Sequence, residues 1–188
     1  MNTPAHLIFG AAAFGRPGDR RVTLAALAGG LAPDVSLYLM AGTALILGHA
    51  PAQVFGTFYH SDAWQQVFAV DNSFVLWGLA AAVAVGARSG WAVAFTGAAL
   101  LHLAFDFPLH ADDARMHFWP LSDWVFRSPV SYWDGARGGG WVGPVEQAAT
   151  LGLTILLLVR FRSLAWRAVF AGIAVLELAP LILWGLIF

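Results

Sequence analysis

Along this chain long apolar runs alternate with short polar turns, at lengths that suit helices. Ala5–Phe14 predicts a short apolar helix, followed by the turn GRPGDRR over Gly15–Arg21. Val22–Gly48 is long enough to cross a bilayer, which takes ~20 residues, but Pro33-Asp34 interrupts it. Ala50–Val70 mixes aromatic and polar residues, so it predicts an amphipathic segment lying along an interface. Ser73–Ala87 and Trp91–Leu109 read as a helical hairpin around Arg88-Ser89-Gly90, and Ala111–Gly143 as one long loop rich in Trp, Pro, Asp and Gly. Two further spans, Pro144–Val159 and Leu164–Phe188, are joined across Arg160-Phe161-Arg162. No internal repeat or low-complexity tract is visible. The expectation is an all-α integral membrane protein in one domain, residues 1–188. It is a bundle of five transmembrane spans with a short N-terminal helix and an interfacial segment.

Composition strengthens that reading and excludes several chemistries. The chain is 59% hydrophobic and 11% charged, with a mean hydropathy of +0.69. So few charges cannot cover a water-facing surface of this size, which points to lipid as the solvent. A net charge of −1 argues against nucleic acid as a partner. Without Cys there is no disulfide framework, thiolate zinc site or cysteine nucleophile. Without Lys there is no Schiff-base amine. The Arg cluster follows the first apolar stretch instead of preceding it, so no secretory signal is expected.

Arginine positions set the expected orientation. With Arg16, Arg20 and Arg21 in the cytoplasm, Arg88 and the group Arg160, Arg162 and Arg167 also fall inside. The 49–71 segment, which has no Arg, falls outside. So does the long loop, where Arg115, Arg127 and Arg137 are balanced by Asp112, Asp113, Asp123 and Asp134. Trp91, Trp124, Trp133, Trp141 and Trp184 lie near the expected boundaries, as interfacial anchors do. Asp34 then lies ~18 Å outward from Val22, and His102 and Asp106 lie ~17 and ~23 Å outward from Trp91 at helical rise. His6, His60, Asp71 and Asn72 gather at the same outer side.

The chemistry-bearing stretch is Leu100–Pro120. His102 and Asp106 are four apart, so they share one face of a helix. Pro108 should end that helix near Phe107 and put His110 on the loop beyond. Imidazole and carboxylate inside an apolar segment are costly unless paired, protonated or metal-bound. The competing reading is a hydrogen-bonded pair that holds helices together. Asp34 either lines a cavity at a broken helix or caps the helix that restarts at Val35. His49 reads as a loop residue, His117 as solvated or supporting, and Glu177 as an acid hydrogen-bonded to a neighbour. The donor set expected here is His6, Asp34, His102 and Asp106, with His60 and His110 as further candidates. Asp and His without Cys favour Zn²⁺, Mn²⁺ or Fe²⁺, and such an ion acidifies water for hydrolysis. No GxSxG elbow surrounds Ser61 or Ser73, and there is neither a P-loop nor GxGxxG.

On these residues the chain resembles a family of small bacterial inner-membrane proteins described as membrane-bound metal-dependent hydrolases. Ala5-His6-Leu7 matches that family's N-terminal His-Leu helix, and Ala32-Pro33-Asp34 its Leu-Pro-Asp segment. His102 through Asp106, followed by Trp119-Pro120, matches its His-x-x-x-Asp helix and Trp-Pro. The likeness covers roughly residues 5–120, the site-bearing part, while the spans in 144–188 add nothing to it. Where the family continues Asp-Ile-Asp-His, this chain reads Asp34-Val35-Ser36-Leu37. Where the family has Thr-His-Ser, the counterpart is Asp71-Asn72-Ser73. The resemblance implies a multi-pass metal-dependent hydrolase of the bacterial inner membrane, and the outer-side placement of the polar residues adds the expectation of a lipid or membrane-delivered substrate reached from the outer half of the bilayer. Asp71 would be general base or extra ligand, and Asn72 an electrophilic or supporting donor. From other classes come a non-catalytic assembly subunit, whose polar core only fixes packing, and a transporter, against which the lack of an inverted repeat counts.

Overall fold

A computed structural model describes the backbone over residues 1–187 and side chains up to Ala179, so Trp184 lies outside the described residues. The described chain is all-helical, its one β-type contact being the isolated bridge between Arg16 and Asp19. In order the helices are α1 (Thr3–Phe14), α2 (Arg20–Leu31), α3 (Val35–Ile46), the single turn α4 (Pro51–Gln53), α5 (Asp62–Asp71), α6 (Phe74–Gly86), α7 (Gly90–Asp106), α8 (Gly139–Arg160) and α9 (Leu164–Ile187).

Among the described residues three stretches are long and apolar enough to cross a membrane: Arg20–Ile46 with 27 residues, Asp62–Gly86 with 25 and Gly139–Arg160 with 22. The first holds the expected break, a 3₁₀ turn over Ala32–Asp34 between α2 and α3. The second differs from expectation. The interfacial segment divides into α4, a π turn at Val54–Phe58 and α5, and α5 then runs into α6 with only Asn72 and Ser73 between them. Ser73 restarts the helix by accepting from the Leu76 N–H at 3.0 Å, so the chain continues instead of turning back. The apolar helix α7 has 17 residues, ~26 Å at helical rise and short of a full hydrocarbon core. It stops at Asp106, two residues before Pro108, as the missing proline N–H requires. At the other end α8 begins at Gly139, ahead of Pro144.

Packing is inverted relative to a water-soluble bundle. Leu39, Ile46, Val83, Ile155 and Val159 are exposed, while His6, His102, Asp106, Glu146 and Glu177 are buried. The centre is α1, which packs on α2, α7, α8 and α9, and the most extensive pairing is α2 with α7. Small residues make that seam: Ala25 and Ala26 on α2 cluster with Ala94 on α7, Gly29 meets Phe95 and Ala98, and Gly30 turns to His6 on α1. A Cβ at Gly30 would stand 2.7 Å from the His6 carbonyl oxygen, and one at Gly29 would overlap the Phe95 carbonyl. Without side chains at these points three helix backbones reach van der Waals contact, which is how helices associate where water exclusion gives little.

Gly29→Ala should therefore lower the melting temperature in detergent by several degrees, since overpacking costs ~1–3 kcal/mol. Gly42→Ala is the control, because an added Cβ there meets nothing within 4 Å. Equal melting of the two variants would contradict the close-packed seam.

Candidate metal centre

The α2–α7 seam sets His102 first. Its Nδ1 lies 2.7 Å from the carbonyl oxygen of Gly30, an acceptor only, so Nδ1 carries the proton and donates it. Its Nε2 faces two carboxylates, with Asp106 Oδ2 at 3.1 Å and Asp34 Oδ1 at 3.7 Å. The shorter contact is within ion-pair distance but off the line of a hydrogen bond, and Nε2 has no hydrogen-bond partner. A lone pair aimed between two carboxylates is repulsive. The nitrogen must therefore carry a proton or share a cation with them.

The other imidazoles converge on the same carboxylate. From α1, His6 stacks on His102 with ring centroids 3.5 Å apart, and its Nε2 is 2.9 Å from Asp106 Oδ1. Two imidazolium rings stacked so closely would repel, so at most one is charged. Ligand atoms of His6, His102 and Asp106 lie within 4.8 Å of one another, and all three residues are buried. His110, on the loop after Pro108, places Nε2 3.3 Å from Asp106 Oδ2. Its Nδ1 is held by Asp113 Oδ2 at 2.8 Å, and the same oxygen accepts from Trp133 Nε1 at 3.1 Å. His102 and His110 thus share one plan, with Nδ1 fixed by an acceptor and Nε2 left for the centre. Histidines that ligate metals are oriented in this way.

Burial opposes charge on His110, but Asp106 and then Asp113 outweigh it and push the imidazole up to about 9. The amino nitrogen of Met1 also lies 2.5 Å from Asp106 Oδ1.

Asp34 sits at the edge of the cluster. Its Oδ2 accepts from Thr3 Oγ1 at 2.5 Å, and that hydroxyl lies 2.7 Å from Tyr38 OH. A cavity of about 200 Å³ opens beside the cluster, with Asp34, Asp106, His110, Arg115, His117 and Tyr132 in its lining. Asn72 also lines it, but its Nδ2 is engaged with the carbonyls of Phe68 at 3.0 Å and Pro33 at 3.3 Å. Asp71 is not part of this lining, and His60 is exposed on a separate surface depression. The structure brings together His6, His102, Asp106, Asp34 and His110, and leaves Asp71 and His60 apart.

The loop over 111–143 closes the cavity and supplies residues that sequence spacing did not single out. Tyr132 N–H and Ser128 N–H bond back to the carbonyls of Leu109 and His110 at 3.1 and 3.0 Å. Phe74 N–H donates to the His117 carbonyl at 2.8 Å, and the Ser73 hydroxyl donates to that of Trp119. Asp113, Arg115, His117 and Tyr132 reach the site only through this fold-back. Glu146 was also missed. From α8 its Oε1 accepts the Asn2 N–H at 2.6 Å, while Glu177 Oε1 on α9 accepts Asn2 Nδ2 at 3.2 Å.

His117 offers a pH test outside the metal cluster. Its Nδ1 donates to the Asn72 carbonyl at 2.8 Å, and burial pushes its pKa from the ordinary 6.5 down to about 4. Unfolded chain therefore binds a proton that folded protein refuses between these values. Stability from neutral His117 is complete above 6.5 and is lost as pH falls towards 4. At 1.36 kcal/mol per pKa unit the loss is at most ~3 kcal/mol. His117→Gln should melt lower at pH 7.5, but lose less on going to pH 5 than wild type. Parallel losses in the two proteins would contradict this.

No protein-family model matches the chain, and neither does any curated protein or solved structure. The site stands on its own geometry.

Proposed function

We propose that this is a metal-dependent hydrolase of the bacterial inner membrane, related in type to the membrane-bound hydrolases its motifs resemble. One observation carries the reading. His102 has Nδ1 tied to the Gly30 carbonyl and Nε2 turned towards Asp106 and Asp34, with a His6 ligand atom within the same 4.8 Å cluster. The donor set of imidazole and carboxylate suits a divalent transition ion, Zn²⁺, Mn²⁺ or Fe²⁺. His6, His102 and Asp106 would hold it, with Asp34 and His110 completing the set. The ion would supply Lewis-acid polarisation and acidify a water for hydrolysis. Around it, Asp113 orients His110, Gly30 orients His102, and the folded-back loop excludes bulk water. Asp71, which lies outside the cavity lining, and Asn72, whose Nδ2 is held by the Phe68 and Pro33 carbonyls, drop out of the catalytic set. The substrate is a lipid or membrane-delivered molecule reaching the cavity from the outer half of the bilayer.

In this reading the chain crosses the bilayer five times, along α2–α3, α5–α6, α7 (whose shortfall a locally thinned bilayer accommodates), α8 and α9, with the Arg16–Arg21 turn in the cytoplasm. A reporter fused after Phe188 should read as periplasmic, and a cytoplasmic readout would break the topology.

The second reading is a non-catalytic subunit whose polar core only fixes packing. It is favoured by the His6 and His102 imidazoles against Asp106, at 2.9 and 3.1 Å, which give the carboxylate polar neighbours without an ion. Metal analysis separates the two. Purified protein should carry about one equivalent of transition metal, and Asp106→Asn should lose it while staying folded. Chelator should destabilise wild type by about 2.7 kcal/mol when the ion stands at a hundred times its Kd, and should leave Asp106→Asn unchanged. Wild type that binds less than a tenth of an equivalent and melts identically with and without chelator would exclude the metal reading.

A further inference from the structure

Arg115 is a buried cation that the metal chemistry leaves unused. It is 7% exposed, and its guanidinium lies 4.2 Å from the Phe68 ring centroid and 4.6 Å from that of Tyr59. Nη2 donates to Tyr59 OH at 2.6 Å, while Nη1 is buried with no hydrogen-bond partner. Among the described residues no carboxylate pairs with it, the arginine ion pairs being those of Arg137 with Asp112 and Asp134. Asp113, the nearest acid along the chain, is already bonded to His110 and Trp133. Nor is Tyr59 a counter-charge, since burial pushes its phenol up to about 12, against the pull of Arg115.

A guanidinium cannot shed its proton. A buried charge with an unsatisfied donor is costly, and the aromatic faces offset only part of that. The missing partner has a place. Arg115 lines the same cavity as Asp106 and His110, and 200 Å³ is the room of roughly six waters at ~30 Å³ each. Tyr132, which burial keeps as a neutral phenol, lines it too. The lining therefore includes carboxylates and an imidazole suited to a divalent ion, Asp34, Asp106 and His110, together with a fixed cation and a phenol, Arg115 and Tyr132.

We infer that the cavity takes an anionic phosphoryl group, held between Arg115 and the Asp34, Asp106 and His110 side chains that line it beside the proposed metal centre. This deepens the hydrolase reading and rests on it for the metal side alone. A phosphate ester fits both sets at once, its oxygens accepting from arginine while others face the ion, the arrangement that stabilises charge in phosphoryl transfer. The reaction is balanced. The water oxygen bonds to phosphorus, the ester P–O bond breaks, and the leaving alcohol oxygen takes up a proton from that water. A phospholipid headgroup and a soluble phosphate share this chemistry.

The test uses the full chain in detergent, loaded with Zn²⁺ or Mn²⁺. It is titrated with inorganic phosphate, dioctanoyl phosphatidic acid or uncharged dioctanoylglycerol, with melting and calorimetry as readouts. Both phosphates should bind saturably and dioctanoylglycerol should not. Tighter binding of phosphatidic acid than of phosphate identifies a lipid source, and equal binding a soluble one. Arg115→Met should weaken phosphate by about tenfold or more, as loss of a hydrogen bond to a charged group does, with metal content unchanged. Should that variant fail to fold, Arg115→Lys, which keeps charge but loses the planar fork, must still weaken phosphate by ~3-fold or more. A metal-loaded wild type that ignores both phosphates overturns the inference and leaves the metal reading standing, as does full phosphate affinity in Arg115→Met or, failing that, in Arg115→Lys. Failure of wild type to bind metal overturns the hydrolase reading instead, while phosphate binding that depends on Arg115 would still establish the anion side.

Discussion

The structure depends on one buried carboxylate. Asp106 has three imidazoles and an amino nitrogen within about 3.3 Å, from α1, α7 and the loop beyond α7. A carboxylate in apolar surroundings is tolerated only with cationic or hydrogen-bonding partners. Each of those partners is itself held in place, His102 by Gly30, His110 by Asp113 and His6 by stacking on His102. The arrangement is over-determined around a point between Asp106, His6 and His102. A polar core serving packing alone would be satisfied by mutual hydrogen bonds. Here His6 Nδ1, His102 Nε2 and His110 Nε2 are buried without them. Such unsatisfied atoms are costly unless something else meets them.

The carboxylate can be reached from three elements only because α1, α2 and α7 are so close. Gly29 and Gly30 carry no side chain where the Phe95 and His6 carbonyls approach. The same contact that packs the helices delivers the Gly30 carbonyl to His102. Stability and orientation are thus coupled at the seam. A residue that separates the helices also releases the imidazole, so packing variants should be read for metal content as well as for melting.

Local rules made much of this legible. His102 and Asp106 share a helix face because they are four apart, Pro108 ends that helix and frees His110, and Pro33-Asp34 marks the 3₁₀ break. Each of these follows from backbone geometry within a few residues. What sequence left out depends on long-range folding. Asp113, Arg115 and Tyr132 lie in a stretch without periodicity, and the backbone bonds from Ser128 and Tyr132 to His110 and Leu109 are what bring it over the cavity. Asp71 and Asn72 are adjacent in sequence, yet Asn72, just past the end of α5, lines the cavity and Asp71 does not. The division between α5 and α6 was placed by composition, whereas the Ser73 cap lets the helix resume at once.

The C-terminal helices gain a role that their apolar sequence conceals. They lie outside the stretch that carries the His and Asp motifs, and read only as spans. In the fold α1 lies against both α8 and α9, and Ile8 and Ala11 share a core cluster with Leu157, Phe161 and Phe170. At the other end of α1, Glu146 and Glu177 hold Asn2 through its backbone N–H and its side chain. A helix of 12 residues is too short to fix its own position. Between its apolar contacts with α8 and α9 and the two glutamates at Asn2, α1 is clamped along its length. His6 lies on the clamped stretch, one turn beyond Asn2. Helices that contribute none of the clustered His and Asp ligand atoms therefore decide where an imidazole of the centre stands. The clustered imidazoles and carboxylates and the residues that position them belong to different ends of the chain.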